Sequence, residues 1–313
     1  MRMNDRPDKM RAAAFTEYGS AEVLQTMEFD VPQAGAGEVR VRVKAAGVQP
    51  ADTAIRGGRS PRGVTVRLPQ IPGNEFAGVV EQVGQGVTGF PIGSEVIGYK
   101  VLTCYAQYVV VSADQIVAKP DSMPWDEAGA LSASGQTAHT ALQELRVGSG
   151  DTVLIHAAAG GVGSAAVQLA KAWGASTVIG TASERNHDYV RSLGAIPVAY
   201  GDGLAERVRA IAPGGIDAVL DAAGGDALKV SVELCQNRDR IGTIAGFDLA
   251  EQLGVRTIFS KRSAERLAEL VELYRKGKLR IAIRQTFPLD KAADAHREIE
   301  TGHGFGKVVI VMD

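Results

Sequence analysis

The chain has 313 residues, of which 45% are hydrophobic and 22% are charged, and its formal net charge is −2. These values are ordinary for a globular protein with a large core and indicate neither a nucleic-acid partner nor an anionic membrane surface. The two cysteines, Cys104 and Cys235, are too few for a disulfide framework and favour a reducing, cytoplasmic location. No apolar run is long enough to span a bilayer. Residues 1–9 lack the apolar core of a signal peptide, so we expect a frayed tail or extra residues before a start at Met10.

Residues 10–125 contain runs of β-branched residues separated by glycine-rich turns, and the prolines fall between the runs. This pattern predicts an all-β unit. The predicted strands are Arg11–Phe15, Glu38–Ala46, Gly78–Val83, Glu95–Gly98 and Ala106–Val111.

Beyond Pro124 the pattern changes to a helical segment at 126–145, followed by alternating strands and helices. Such alternation predicts a parallel sheet with helices on both faces. The predicted strands are Thr152–Ile155, Thr177–Gly180, Ala218–Leu220, Ile241–Ala245 and Leu253–Phe259. The predicted helices cover 162–173, 185–193, 204–211, 227–236 and 263–276.

A glycine-rich loop joins the first of these strands to the first helix. Aligned with the dinucleotide-binding pattern G-x-G-x-x-G, its three positions are Ala158, Gly160 and Gly163. Gly160 would let the backbone approach a pyrophosphate, and Gly163 would let the helix lie close to the strand. The helix N-terminus would supply free N–H groups for the phosphates. The loop residues expected to contact a dinucleotide are Ala159, Gly160, Gly161, Val162 and Gly163.

From Gly150 to Lys171 the chain reads Gly-Asp-x-x-Leu-x-x-x-Ala-Ala-Gly-Gly-Val-Gly-x-x-x-x-Gln-x-x-Lys. This resembles the quinone oxidoreductase and zeta-crystallin group, the zinc-free branch of the medium-chain dehydrogenase/reductase superfamily. The resemblance extends over nearly the whole chain. It implies an α/β fold, with a Rossmann-type doubly wound parallel sheet plus a GroES-like β-barrel catalytic domain.

The resemblance also implies how the two domains share the chain. The catalytic domain would be discontinuous, at 1–125 and 263–313, with the Rossmann nucleotide-binding domain inserted at 126–262. A closing helix and a last strand from Gly304 to Ile310 would return the chain to the first domain. Family members pair their nucleotide-domain sheets, so we expect a homodimer with Leu253–Phe259 as the edge strand.

The second predicted strand of the nucleotide domain has no carboxylate at its tip, where NAD-preferring sites usually place one. In the family this region, here Thr181, Ser183 and Arg185, receives a 2′-phosphate, and Tyr200 resembles a tyrosine that reaches it. NADPH is therefore the expected cofactor. Two alternatives remain: Arg185 is a solvated charge at a helix start, or Glu184 reaches the ribose and favours NADH. The resemblance implies further cofactor contacts from Ala223, Ala245, Gly246, Phe247 and Lys307.

Zinc-dependent relatives hold their metal with a Cys and a Gly-His-Glu motif, and those positions are filled here by Gln49 and Asn74. Neutral amides are poor zinc ligands, and the five histidines show no metal-like spacing, so no metal is expected. Without a Lewis acid, simple alcohols are poor candidates as substrates. A small-molecule electrophile, either a quinone or an activated C=C bond, needs less help because conjugation spreads the charge after hydride transfer.

We expect Gln49 to donate a hydrogen bond near the nicotinamide ribose or the substrate oxygen. Asp52 and Arg56 match family positions lining the cleft, although a structural pair bracing a loop is an equal alternative. Ala54 replaces a tyrosine often proposed to meet the substrate, so neither the substrate nor a proton donor is identified. The prediction is zinc-independent hydride transfer from NADPH to a quinone, with enoyl or alkenal reduction and non-catalytic NADPH binding as alternatives.

Overall fold

The computed structural model describes residues 8–60 and 63–312. Most of the tail expected at 1–9 lies outside the described residues, but Lys9 already belongs to the first strand. Within the described part of the chain, no helix combines the length and the apolar character needed to cross a membrane.

The strands are β1 (Lys9–Ala14), β2 (Gln25–Asp30), β3 (Glu38–Val48), β4 (Glu75–Val83), β5 (Glu95–Tyr99), β6 (Tyr108–Ser112), β7 (Ile116–Ala118), β8 (Thr152–Ile155), β9 (Thr177–Ala182), β10 (Ile196–Ala199), β11 (Ala218–Asp221), β12 (Ile241–Thr243), β13 (Arg256–Thr257), β14 (Ile283–Pro288) and β15 (Lys307–Val311). The helices are α1 (Pro50–Arg56), α2 (Trp125–Gly129), α3 (Ser132–Glu144), α4 (Gly161–Ala172), α5 (His187–Ser192), α6 (Leu204–Ile211), α7 (Asp226–Leu234), α8 (Phe247–Leu253), α9 (Ala264–Arg275) and α10 (Ala292–Glu300).

Six strands form a parallel sheet in the order β10-β9-β8-β11-β12-β13. This is the doubly wound order of a Rossmann-type fold, so that prediction is confirmed. From β8 the chain adds β9 and β10 on one side and then crosses back to add β11, β12 and β13 on the other, and this switch opens a crevice at the carboxyl end of β8. The glycine-rich loop lies at this position, directly before α4.

A second sheet contains β14-β15-β3-β4-β5-β7, with β6 also paired to β3, and β1 and β2 form a separate hairpin. The long strand β3 turns alternate residues into the barrel core, where Val39, Val41 and Val43 are fully buried. The last strand, β15, pairs antiparallel with β3 and so returns the chain to the first unit. The predicted GroES-like barrel is therefore confirmed.

Several elements differ from the sequence-based predictions. The strand predicted at Leu253–Phe259 is wrong, because α8 runs to Leu253 and only β13 is extended. Gly254, at φ 66°, ends α8 in the left-handed region, and the spaced apolar residues beyond it were mistaken for a longer strand. The helix predicted at 126–145 breaks between α2 and α3. The elements missed were β2, β7, β10, β14, α1 and α8.

The domain boundaries stay a prediction, and the packing of α9 bears on the second of them. Leu267 and Leu270 of α9 lie in the same hydrophobic cluster as Leu142 of α3 and Leu169 of α4. A helix that buries its apolar face against the nucleotide-binding unit belongs to that unit's core. We therefore propose a boundary after α9 rather than at residue 263.

Candidate active site

A cleft of about 490 Å³ separates the glycine-rich loop from the barrel. Three walls enclose it. The nucleotide wall is formed by the glycine-rich loop and the start of α4, the barrel wall surrounds Gln49 and Asn74, and the third wall is the segment 258–262. The predicted site residues that line it are Gln49, Gly160, Gly161, Val162, Gly163, Ala245, Phe247 and Lys307. The predicted site residues not found among its lining residues are Asp52, Arg56, Ala159, Thr181, Ser183, Arg185, Tyr200, Ala223 and Gly246.

The glycines of the loop differ in what surrounds them. A Cβ at Gly160 would meet only the carbonyl oxygen of Ala157, at an ordinary 3.4 Å. A Cβ at Gly163 would overlap that oxygen and the backbone of Ala158. Gly160 therefore keeps space open on the cleft side, while Gly163 allows α4 to pack against the loop.

The first turn of α4 offers N–H groups to the cleft. The N–H groups of Gly161, Val162 and Gly163 cannot be satisfied within the helix, because no earlier turn supplies carbonyl groups. The structure gives them no other acceptor among the described residues. All three residues line the cleft, so the geometry suits a ligand with phosphate groups.

Ala158 occupies the first position of the glycine pattern, and the neighbouring strand accommodates its side chain. A Cβ at Gly180 of β9 would lie 2.7 Å from the Cβ of Ala158. The absence of a side chain at Gly180 thus makes room for the methyl group that replaces the usual first glycine. The sequence alone does not reveal this pairing.

Buried polar groups hold the loops at the carboxyl edge of the parallel sheet. The Thr181 hydroxyl accepts from the Ala157 N–H at 3.2 Å and contacts His156, whose other ring nitrogen lies 3.0 Å from the Ser231 hydroxyl. His156 is completely buried, and this burial lowers its pKa to about 4, against the charge of nearby Asp221, which raises it. Thr181 therefore supports the glycine loop from below, and its predicted cofactor contact stays a prediction.

Asp221, at the end of β11, organises the next two loops and was missed by the sequence analysis. Its carboxylate accepts from the N–H groups of Ala223 and Gly224, at 2.9 and 2.8 Å, and from the Thr243 hydroxyl at 2.7 Å. Thr243 in turn accepts from the N–H of Gly246 at 2.7 Å. Protein acceptors thus occupy the N–H groups of Ala223 and Gly246, two residues predicted to contact the cofactor.

The residues predicted to read the ribose lie together beyond β9 and β10. Ser183 is half-buried, Glu184 and Arg185 are exposed side by side, and Tyr200 is 61% exposed. Within the described part of the chain, neither the Glu184 nor the Arg185 side chain makes a hydrogen bond or ion pair, so both side chains are available to a ligand. The geometry leaves the choice between NADPH and NADH a prediction.

A buried ion pair forms the floor of the cleft. The Lys307 ammonium lies 3.0 Å from a carboxylate oxygen of Glu75 and donates to the Ser134 hydroxyl at 3.1 Å. The Gln49 amide donates to the same Glu75 oxygen, and the Ala133 N–H donates to the other oxygen at 2.6 Å. This arrangement brings together residues from four distant segments, of which the sequence analysis proposed only Gln49 and Lys307.

Asp52 lies beneath Gln49 and is fully buried, so it supports the cleft without lining it. Its carboxylate accepts from the Gln49 N–H at 2.9 Å, the Tyr105 hydroxyl at 2.8 Å and the Asn74 amide at 2.9 Å. Burial raises the pKa of Asp52 to about 6, although these three donors lower it. Asp52 therefore positions Gln49 and Asn74, which do line the cleft.

Arg56 points away from the cleft, so the prediction that it takes part in catalysis needs correction. Its guanidinium donates to the Gly19 carbonyl at 3.1 Å, contacts His296 at 3.2 Å and pairs with Glu300. These partners tie α1 to α10, and the side chain is almost completely buried among them. Arg56 thus braces the fold, and it makes no pair with Asp52.

Arg262, which the sequence analysis missed, enters the cleft from the third wall. Its guanidinium donates to both the backbone carbonyl and the side-chain carbonyl of Asn74, each at 2.7 Å. Ser260 lines the same wall, and its hydroxyl oxygen is buried without a hydrogen-bond partner. No motif or spacing in the sequence marks this segment, because its neighbours in space are about 190 residues away along the chain.

Among the described residues, no cluster of three or more His, Cys, Asp or Glu side chains is arranged to hold a metal ion. At the two positions that correspond to zinc ligands, the amides are engaged by the protein itself. The Gln49 amide donates to Glu75, and the Asn74 amide donates to Asp52 and accepts from Arg262.

Two family models match the chain: an alcohol dehydrogenase GroES-like domain over residues 35–121 and a zinc-binding dehydrogenase over residues 193–310. A 2-haloacrylate reductase from Burkholderia sp is 34% identical, over 96% of this chain and 98% of that protein. The chloroplastic NADPH-dependent alkenal/one oxidoreductase of Arabidopsis thaliana is 30% identical, over 97% of this chain and 80% of that protein. The solved quinone oxidoreductase of Coxiella burnetii has a TM-score of 0.86 and 33% identity, covering 97% of this chain and 100% of that chain.

Proposed function

Because the chain belongs to the medium-chain dehydrogenase/reductase family and is an oxidoreductase that uses a nicotinamide cofactor, we propose that it is a zinc-independent, NADPH-dependent reductase. Its acceptor would be a quinone or another conjugated carbonyl compound. The observation that carries the proposal is the floor of the cleft, where amides and an internal ammonium group stand beside Glu75 in place of metal ligands.

The residues at the zinc position do not fit the metal. Zinc sites use thiolate, imidazole and carboxylate ligands, and at this position the carboxylates of Glu75 and Asp52 stand beside the amides of Gln49 and Asn74. Asp52 already accepts hydrogen bonds from Gln49, Asn74 and Tyr105. For Glu75 the situation is similar. Its Oε1 already faces the Lys307 ammonium at 3.0 Å, and the Ala133 N–H occupies its Oε2. A divalent cation there would have to displace or lie beside a buried positive charge, which is strongly unfavourable.

The nucleotide wall fits a dinucleotide phosphate. The open space at Gly160 and the unpaired N–H groups of Gly161, Val162 and Gly163 would receive the pyrophosphate. When bound, NADPH supplies the hydride and both electrons for the reduction. Arg185 and Ser183 would face the 2′-phosphate, and the similarity to the NADPH-dependent oxidoreductase of Arabidopsis thaliana supports NADPH over NADH.

The barrel wall would stabilise negative charge on the acceptor oxygen. The Gln49 amide has two N–H groups, and Glu75 takes one of them. The Lys307 ammonium has three N–H groups, and Glu75 and Ser134 take two. One donor of each residue therefore remains for a carbonyl oxygen in the cleft, where preorganised donors lower the barrier most effectively.

The experiment is a steady-state assay of NADPH oxidation with a quinone, an enone and a saturated ketone of similar size. We expect turnover with the first two and little with the ketone, since a ketone without conjugation needs a Lewis acid. Parallel assays with and without a chelator should agree. NADPH binding without turnover of any acceptor would instead support a non-catalytic role.

A homodimer and a cytoplasmic location stay predictions. The edge strand β13 contains only two residues, so it offers a shorter pairing edge than the sequence suggested. Light scattering at micromolar concentration would decide the oligomeric state, and a monomer would reject the dimer.

A further inference from the structure

Arg262 differs from the other cations of the cleft in lacking a carboxylate partner. Among the residues that the structure describes, three Lys or Arg side chains line the cleft: Arg262, Arg284 and Lys307. Lys307 pairs with Glu75 at 3.0 Å, and Arg284 pairs with Glu298 at 3.2 Å. Within the described part of the chain, Arg262 makes no ion pair, and no Asp or Glu is among the lining residues.

The half-buried guanidinium of Arg262 therefore brings a net positive charge to the cleft. Its two hydrogen bonds go to the neutral oxygens of Asn74, which satisfy donors without neutralising charge. A guanidinium has five N–H groups, so three remain. A charge that is partly removed from water and left without a counter-charge is unfavourable, and an anionic ligand would relieve that cost.

Ser260 supplies a second polar group on the same wall that is open to a ligand. Its hydroxyl oxygen is buried and has no hydrogen-bond partner among residues 8–60 and 63–312, and buried polar groups without partners are rare in native proteins. Ser260 is separated from Arg262 by one residue, and both line the cleft. The segment thus presents a planar cation and a hydroxyl group, a combination that suits the two oxygens of a carboxylate.

We propose that this wall binds a carboxylate carried by the substrate, so that the acceptor is an α,β-unsaturated carbonyl compound that also bears a carboxylate. The inference rests on the proposed function and narrows its substrate class. The cofactor phosphates are expected at the first turn of α4, whereas Arg262 is held by Asn74 on the barrel side. Val48, Phe247 and Ile258 add apolar surface to the lining of the same cleft.

The reaction balances without any further reagent. The carbon β to the carbonyl group accepts hydride from the reduced nicotinamide, and the π electrons move to the α-carbon and the carbonyl oxygen. A proton from water then adds at the α-carbon, which leaves the saturated carbonyl compound and NADP⁺. The carboxylate itself is unchanged, so Arg262 and Ser260 would determine binding and orientation rather than the chemical step.

Acetylacrylate and its methyl ester form a matched pair of probes, since a ketone activates the C=C bond in both and only the acid is charged. We expect the protein to prefer the acid. Arg262→Met should lower kcat/KM for the acid by about 10- to 100-fold, the range for a lost hydrogen bond to a charged group, and should lower it much less for the ester, which loses only the support of Asn74. Ser260→Ala should act in the same direction with a smaller effect, and Arg262→Lys should recover part of the preference.

Lys261→Met is the control, because it removes the same charge from the neighbouring residue. The Lys261 ammonium pairs with Glu144 at 2.7 Å and does not line the cleft. This variant should behave as wild type toward both probes. Equal loss of acid and ester in Arg262→Met would show that Arg262 only positions Asn74, and equal use of the two probes by wild type would also overturn the proposal.

A binding measurement separates failure of this inference from failure of the proposed function. Calorimetric titration with levulinate, the saturated product acid, is run in the presence of NADP⁺ on wild type and Arg262→Met. Loss of levulinate binding in the variant would support the carboxylate site even if no acceptor were reduced. Turnover of neutral quinones and enones together with the same weak levulinate binding in both proteins would reject the site and retain the reductase.

Discussion

The two main walls of the cleft recognise ligands by different means. The nucleotide wall offers backbone N–H groups at the start of α4, and its small residues leave room for the ligand. The barrel wall offers side chains, and nearly all of its polar groups are already bonded to one another around Glu75 and Asp52. Recognition at the nucleotide wall therefore depends on the absence of side chains, whereas recognition at the barrel wall depends on which side chains are hydrogen-bonded to one another.

The largest effect should distinguish two glycines on the nucleotide wall. Gly160→Val should fold, because a Cβ there meets only the Ala157 oxygen at 3.4 Å, but it should abolish NADPH binding by filling the space for the pyrophosphate. Gly163→Val should lose thermal stability severely, because its side chain would overlap the backbone of the loop. Melting temperature and fluorescence titration measure the two outcomes. Unchanged NADPH affinity in Gly160→Val would mean that the loop is structural only.

The next effect concerns the ion pair on the barrel wall. Glu75→Gln leaves the buried Lys307 ammonium without a counter-charge, and breaking such a pair costs about 3–5 kcal/mol. Urea unfolding should show this loss, and the double variant Glu75→Gln/Lys307→Met should recover much of it because no charge is then stranded. A double variant less stable than Glu75→Gln would show that the pair contributes through packing rather than charge.

A pH experiment tests the support beneath the barrel wall. Burial raises the pKa of Asp52 from 3.8 to about 6, so the folded state holds a proton that the unfolded chain releases. The resulting stabilisation is complete below pH 4 and is lost as the pH rises through about 6; two pKa units correspond to about 3 kcal/mol. The stability difference between wild type and Asp52→Asn should change across that window. A constant difference would contradict the raised pKa.

The smallest effect is expected at the exposed end of the nucleotide wall. If Arg185 binds the 2′-phosphate, Arg185→Ala should weaken NADPH binding by about tenfold and leave NADH binding nearly unchanged, since solvent screens an exposed contact. Ser183→Ala should act in the same direction but less, because it removes a neutral donor. Fluorescence titration with both cofactors gives the affinities. A wild type that prefers NADH would point to Glu184 as the ribose ligand.

The nucleotide wall could be predicted from sequence because its recognition is local. A strand, a glycine loop and a helix follow one another within about 20 residues, so the segment from Thr152 to Ala172 contains the complete phosphate-binding motif. The doubly wound sheet could be predicted for the same reason. Even here, the accommodation of Ala158 by Gly180 depends on a neighbouring strand and was not visible in the sequence.

The barrel wall could be predicted only in part because its members are far apart along the chain. Gln49 was recognised by resemblance, whereas Glu75 reaches it through the pairing of β3 with β4, and Ser134 and Arg262 reach Gln49 and Asn74 only through the packing of the two units. Arg56 was predicted to line the cleft together with Asp52, which is close to it in sequence. Helix α1 instead directs the Arg56 side chain toward His296 and Glu300.

The central claim is that this cleft transfers hydride from NADPH to a conjugated acceptor without a metal. The most direct test incubates chelator-treated protein with an enone and NADPH deuterated at the transferable position, and locates deuterium in the product by mass spectrometry and NMR. The account predicts one deuterium at the carbon β to the carbonyl, at the same rate with and without the chelator. Product without deuterium, or activity that is lost on chelation and restored by zinc, would contradict it.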